Sequence, residues 1–291
     1  MNALHRLHPA AAFFYFLAIL LLTMLLSNPL LSALSLLGGL CFLLTAWPQS
    51  RRDCPFYALM FLLITLTNPL FSHNGATPLF FLNGNAITLE ALTYGAGLGL
   101  MLVGVMVWCK VMTQIMTSDK LTFLFGKVLP QLGLVLSMAL RYLPLLRRQA
   151  KKISRAQKVC GMYSSDSRFD RLRASLRMTS ALIGWSMEHA VELSKAMQAR
   201  GYGLPKRSSY SLYHLRPSDG GSVCLTILCA GLCLLAAALG GLHFAYYPRI
   251  TPLSHDAWSV LGSAAFGLLA FLPFFMELGE RIKWNYYRSK I

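Results

Sequence analysis

Six apolar runs, each close to the roughly 20 residues a helix needs to cross a ~30 Å hydrocarbon core, constrain this chain more than any motif it carries. They cover Ala10–Leu26, Leu30–Trp47, Phe56–Phe71, Leu89–Met116, Ser222–Leu242 and Ala257–Met276. Only 13% of the residues are charged, whereas a soluble domain carries about a quarter. The expected fold class is therefore all-α: a polytopic membrane protein with about six transmembrane helices and a helical cytoplasmic module. The first run begins weakly basic and is too long for a signal-peptide core, without a clear small-residue cleavage site, so it is expected to be the first span.

The formal charge of +16 is concentrated rather than spread. From Arg147 to Arg216 there are fifteen Lys and Arg against only Asp166, Asp170, Glu188 and Glu192. Membrane topology alone places cations this way, on cytoplasmic loops, so no nucleic-acid partner is expected. The seven cysteines include no CxxC pair, and most lie within apolar runs, which makes them packing residues. No two of the histidines share a ligand spacing, so no metal site is expected in this chain.

Counting sides organises the chain. Arg6, the Arg51–Arg52 pair, the basic segment and the final Arg281, Lys283, Arg288 and Lys290 should share the cytoplasmic side, while the loop Ser72–Thr88, without Lys or Arg, faces outward. Four spans return the chain to the cytoplasm near Ser118, where the basic segment must also begin. Residues 121–146 are apolar but hold Lys127, Gln131, Arg141, Pro130 and Pro144. A single crossing there would put the basic segment outside, so this stretch is expected to lie along the inner face or to dip in and return. The organisation is then 1–117, four spans; 118–221, cytoplasmic or interfacial helices; and 222–291, two spans and a basic tail. Both termini are cytoplasmic in this scheme. Lys110, near the inner end of span four, is expected to snorkel.

Between Arg168 and Arg200 the sequence reads as one long helix, with Leu172, Leu176, Ile183, Met187, Val191 and Met197 recurring at helical steps. Gly201 suits a left-handed residue just past its end, and Pro205 blocks continuation. A fainter copy lies forty residues earlier: Ala156 and Gly161 match Ala196 and Gly201, while Cys160 stands opposite Arg200. Arg200 suits the negative end of the helix dipole, and its planar fork suits a partner carboxylate. Two similar helix ends on one side could dock two similar partners, with small residues such as Ala196 and Ala199 allowing close approach.

Smaller signals complete the reading. Asn28-Pro29 and Asn68-Pro69 mark helix boundaries, because proline biases its predecessor away from the helix. Arg141 and Pro144 form either a bend where a helix leaves the membrane or a plain interfacial segment. Glu90 opens span four, where a carboxylate favours the helix dipole or meets another subunit. No GxxxxGK[ST] loop is present and no nucleophile, acid pair or His cluster sits in the spans, so no catalytic residue is assigned and ATP must be bound elsewhere.

In sum these stretches resemble the transmembrane T component of energy-coupling factor (ECF) transporters, the ABC-type importers of vitamins and transition-metal ions. The resemblance rests on NPLFSHNGATPLFFLNGNAITLEAL from Asn68 (with Pro69, Gly75 and Glu90), TSDKL from Thr117, LPQLGLVLSMALRYLPLL from Leu129, and AMQARGYG, in that order. It implies that Ala156, Cys160 and Gly161, and Ala196, Ala199, Arg200 and Gly201, end two coupling helices seated in grooves of two ABC ATPase subunits. It also implies a membrane-embedded, substrate-binding S component as partner, with ATP and Mg in the ATPases and no cofactor in this chain. Cys160 departs from the family pattern, which implies a weaker first contact or one made by Lys158 or Arg155. The alternative is an autonomous membrane transporter or channel, which would carry more intramembrane polar groups and repeat symmetry across its halves.

Overall fold

The computed structural model describes residues 3–72, 75–82, 85–161, 168–205, 213–247, 251 and 256–289. Its helices are α1 (Pro9–Leu25), α2 (Pro29–Ala46), α3 (Cys54–Phe71), α4 (Leu89–Ile115), α5 (Ser118–Val128), α6 (Pro130–Val159), α7 (Arg168–Ala199), α8 (Pro217–Ala238) and α9 (Ala257–Arg288). They separate into two units: Met1–Thr117 with Tyr213–Ile291, and Ser118–Leu212.

The first unit holds the membrane helices. Among the described residues, five helices (α2, α3 with the turn before it, α4, α8 and α9) are long and apolar enough to span, and α1 is a shorter apolar helix of 17 residues. Their starts are set locally: His8 Nδ1 accepts from the Ala10 amide and Asn28 Oδ1 from the Leu30 amide, each with proline at the first helical position. Asn28-Pro29 is thus a helix start, as expected. Asn68-Pro69 is not a boundary, because α3 continues to Phe71. Its proline falls in the last turn, where only the hydrogen bond to the Thr65 carbonyl is lost.

α4 packs on α1, α2 and α3, and α9 on α2 and α8. Trp108 of α4 is fully buried where these layers meet. Its indole N–H donates to Ser35 Oγ at 3.0 Å, and Tyr15, 6.1 Å away ring to ring, donates its hydroxyl to the Leu269 carbonyl at 3.0 Å. Each aromatic body fills the core while its polar tip is satisfied, which an apolar medium requires. Lys110 does not simply snorkel: its ammonium pairs with Asp53 at the start of α3. α8 begins at Pro217, earlier than the apolar run suggests, because the polar segment Pro217–Gly221 is helical. α9 continues past Met276 to Arg288 and exposes Trp284, Tyr286 and Tyr287, a belt typical of the membrane–water interface.

Between α3 and α4 the chain forms an antiparallel pair, β1 (Pro78–Leu82) and β2 (Asn85–Thr88), with Pro78 opposite Thr88 and Leu82 opposite Asn85. This short antiparallel pair decorates an all-α membrane protein and was not foreseen, although its strands are only two residues apart in sequence.

The second unit consists of α5, α6 and α7. None of these is apolar enough to qualify as a span. Residues 121–146 are split by the single residue Leu129, so the amphipathic α5 turns sharply into α6. The turn is tight because Gly126 and Gly133 face each other, and a Cβ on Gly133 would collide with the Gly126 backbone. The interruption therefore lies at Leu129–Pro130, and the bend anticipated at Arg141 and Pro144 is not a helix end. α6 runs unbroken through Pro144, because one missing amide is tolerated when the neighbouring turns keep their hydrogen bonds.

Candidate functional site

Two helix ends in the second unit share one backbone design. At the end of α7, Arg200 caps the helix and Gly201 follows with φ +81°. The Gly201 amide donates to the Gln198 carbonyl at 2.9 Å and the Tyr202 amide to the Met197 carbonyl at 3.0 Å. These are the two reverse bonds of a Schellman termination, which needs a left-handed residue that only glycine supplies without strain. At the end of α6, Cys160 caps the helix, Gly161 has φ +73°, and its amide donates to the Lys158 carbonyl at 3.1 Å. Residue for residue, Cys160 occupies the backbone position of Arg200, and Gly161 that of Gly201.

Both ends present small or cationic side chains to solvent. Ala156, Lys158, Cys160 and Gly161 are exposed at the first, and Ala196, Ala199 and Arg200 at the second. The Arg200 guanidinium has no partner among the described residues. An exposed arginine beside alanines is a fork free to engage a planar anion at close range. Sequence reasoning missed Tyr202, whose half-exposed ring follows the glycine and whose amide closes the helix; its signal was its place directly after the left-handed residue.

α7 has two apolar faces. The one turned to α6 carries Ala174, Met178, Leu182, Trp185, Leu193 and Met197, all buried or half-buried. Within it Trp185 and Tyr142 both lie against the His189 ring, each 5.2 Å away, and Glu192 is 3.4 Å from His189 Nδ1. The stripe read from sequence points the other way: Leu172, Leu176, Ile183, Met187 and Val191 are each more than half exposed. Met197 belongs to the buried face. The correction has a plain cause, since α6 can cover only one side of a helix that is apolar on two. A cleft of about 310 Å³ lies between α6 and α7, lined by Met138, Tyr142, Leu193, Met197 and Tyr202, directly behind the second helix end.

The residues expected from Asn68 to Glu90 converge in the first unit. Asn68 Nδ2 donates to the Ala91 carbonyl at 2.7 Å, fastening α3 to α4. Glu90, only 3% exposed, accepts from the Thr77 hydroxyl at 2.8 Å and the Thr77 amide at 3.3 Å. Gly75 passes so close that a Cβ would lie 2.6 Å from Glu90 Oε2 and 2.7 Å from Thr88 Oγ1. Pro69 is buried in the same region. Glu90 thus finds its partner within the chain, and this knot fixes the loop between α3 and α4 onto the start of α4. In the TSDKL stretch, Lys120 is buried, and burial pushes its ammonium pKa down. Among the described residues no three His, Cys, Asp or Glu side chains gather as a metal site.

Known proteins resemble this chain in sequence. The energy-coupling factor transporter transmembrane protein EcfT of Listeria innocua is 29% identical over 249 residues, 79% of this chain and 91% of that protein. EcfT of Bacillus selenitireducens is 29% identical over 269 residues, 82% of this chain and 95% of the relative. EcfT of Lacticaseibacillus paracasei reaches 38% over 114 residues, 37% of this chain and 42% of its own. The model of the cobalt transport protein family CbiQ matches residues 1–210, which include the knot and both helix ends. This chain belongs to that family. It is a transmembrane T component of an ECF transporter, a multi-pass membrane protein. The T component's α8 and α9 follow the matched region, and they pack on α1 and α2 of the same unit.

Proposed function

We propose that this T component is the mechanical coupler of an ECF-type importer, taking up a vitamin or a transition-metal ion. ATP binding and hydrolysis occur in two partner ABC ATPases, one seated on Ala156–Gly161 and the other on Ala196–Gly201. Their motion enters the second unit through these ends and passes to a membrane-embedded S component that carries the substrate. The basic second unit then faces the cytoplasm, as do both termini. The observation that carries this reading is the pair of exposed, glycine-terminated helix ends of matching backbone in a chain of this family. The exposed stripe Leu172–Val191 supports a second, hydrophobic partner, since a contiguous apolar face of this kind marks an interaction surface.

Coupling requires differential binding: the helix ends must fit the ATPase grooves better in one nucleotide state than in the other. Cys160 and Arg200, at equivalent backbone positions, make the two ATPase sites unequal, with Arg200 the stronger anchor. The test is purification of the tagged complex from native membranes in mild detergent, with subunits identified by mass spectrometry. Two ABC ATPases and one or more small hydrophobic proteins are expected. Recovery of the chain alone, under conditions that keep a known ECF complex intact, would refute the coupler and favour an autonomous transporter.

A further inference from the structure

Charge is distributed unevenly over the second unit. From Arg147 to Arg177 the sequence holds ten Lys and Arg against Asp166 and Asp170, whereas from Met178 to Pro205 Lys195 and Arg200 are matched by Glu188 and Glu192. Because α6 and α7 run antiparallel, with Tyr142 against His189 and Met138 beside Met197, the cations gather at the first helix end and not at the second. On α6, Arg147, Arg148, Lys151, Lys152, Arg155 and Lys158 recur at helical steps, so they share one face, and all six are exposed. None of them makes an ion pair or side-chain hydrogen bond among the described residues. The half-buried Tyr142, Gln149 and Ile153 form the side turned to α7.

Topology does not account for this face. The preference for cytoplasmic cations acts within about 15–20 residues of a span, but Arg147 comes about 30 residues after α4 ends at Ile115, and Arg177 about 40 before α8 begins at Pro217. The helix dipole favours cations only in the last turn, which holds Lys158. For the helix itself the arrangement is unfavourable, since Arg147 and Lys151, Arg148 and Lys152, and Lys151 and Arg155 are like charges four apart. A cationic face that works against its own helix fits an anionic surface that neutralises it.

We propose, on the coupler reading above, that the ATPase seated on Ala156–Gly161 carries a carboxylate-rich rim that lies along this basic face of α6. Cys160 brings no cation to the helix end itself, so the attraction comes from the roughly three turns before it. A helix resting on a bilayer buries an apolar face opposite its cations; on α6 that side is covered by α7, which leaves a strip suited to carboxylates and not to lipid. The second end, with balanced surroundings, holds its ATPase through Arg200 at the cap. The two ends share a backbone shape but select different charge, and the first draws its partner by a long-range attraction that salt screens.

The experiment measures equilibrium binding of the co-purified ATPases to the full chain in phosphatidylcholine nanodiscs at about 0.1 and 0.4 M KCl. Parental affinity should fall at least tenfold across that range. Arg147→Gln, Arg148→Gln, Lys151→Gln and Lys152→Gln combined, a change that preserves helix propensity, should weaken binding at least tenfold at low salt and leave it within threefold of the parent at high salt. Exchanging the same four residues between arginine and lysine should keep parental values at both salts. A parent chain that binds no ATPase at either salt would refute the coupler, and this inference with it. Parental affinity and salt dependence in the glutamine variant would overturn this inference alone. A variant equally weakened at both salts would overturn it too, because such a loss is structural and not electrostatic. A difference from the parent that appears only when phosphatidylglycerol is added would assign the face to anionic lipid and likewise overturn it.

Discussion

Replacing Gly201 with alanine tests the second helix end directly. At φ +81° an alanine is strained by about 1–2 kcal/mol, and its Cβ would stand 3.0 Å from Leu204 Cδ1. In the unbound chain the segment escapes that strain by leaving the left-handed conformation, giving up the Gly201–Gln198 and Tyr202–Met197 bonds. Docking into an ATPase groove must then restore the native end against the same cost, so affinity should fall by a factor of about 5–30. Asparagine tolerates this conformation far better, so Gly201→Asn should stay within about threefold of the parent. Gly161→Ala, with φ +73° and open space around its Cβ, should lose no more than the backbone strain. The assay is equilibrium binding of the co-purified ATPases to each variant in lipid nanodiscs. Parental affinity for Gly201→Ala, or equal damage from alanine and asparagine, would refute the link between the left-handed glycine and docking.

Other perturbations separate the two ends and the two surfaces. Arg200→Ala should weaken ATPase binding by more than tenfold, in keeping with the ~1.5–3 kcal/mol of a charge-assisted hydrogen bond, while Cys160→Ala should change it little; equal losses in the same binding assay would remove the asymmetry. Ile183→Asp with Met187→Asp should leave the thermal midpoint of the isolated chain nearly unchanged, because both positions are exposed, yet abolish co-purification of the small hydrophobic partner. Retention of that partner would place its contact elsewhere. Glu90→Ala should lower the thermal midpoint by stranding the Thr77 amide and hydroxyl, with Glu90→Gln closer to the parent; a midpoint unmoved by Glu90→Ala would show that the knot contributes nothing to stability.

The membrane helices were legible because hydropathy and capping are local: Pro29 and Leu89 begin their helices close to the ends of the apolar runs. Gly201 was legible for the same reason, since glycine after a periodic run and before proline marks a helix end whatever surrounds it. What escaped depends on partners distant in sequence. The apolar period of α7 names its residues but not which face α6 covers, and Lys110 reads as a snorkelling cation until Asp53 is brought beside it. Pro144 reads as a bend or part of an interfacial segment, and whether the helix continues through it is decided by the turns on both sides. Asn68-Pro69 reads as a helix boundary and Glu90 as a helix-start carboxylate, while Gly75 is picked out by resemblance alone; that they meet as one hydrogen-bonded knot depends on how α3 and α4 pack.

The continuity of α6 has a mechanical meaning. Thirty residues at 1.5 Å each make a rod of about 45 Å, so a tilt of ~5° at one end displaces the other by about 4 Å. Pro144 sits at the midpoint of that rod, where one backbone hydrogen bond is missing. Thrust along the axis is therefore transmitted, while sideways load concentrates its bending at the centre. The same helix acts as a stiff pushrod in one direction and as a leaf spring in the other.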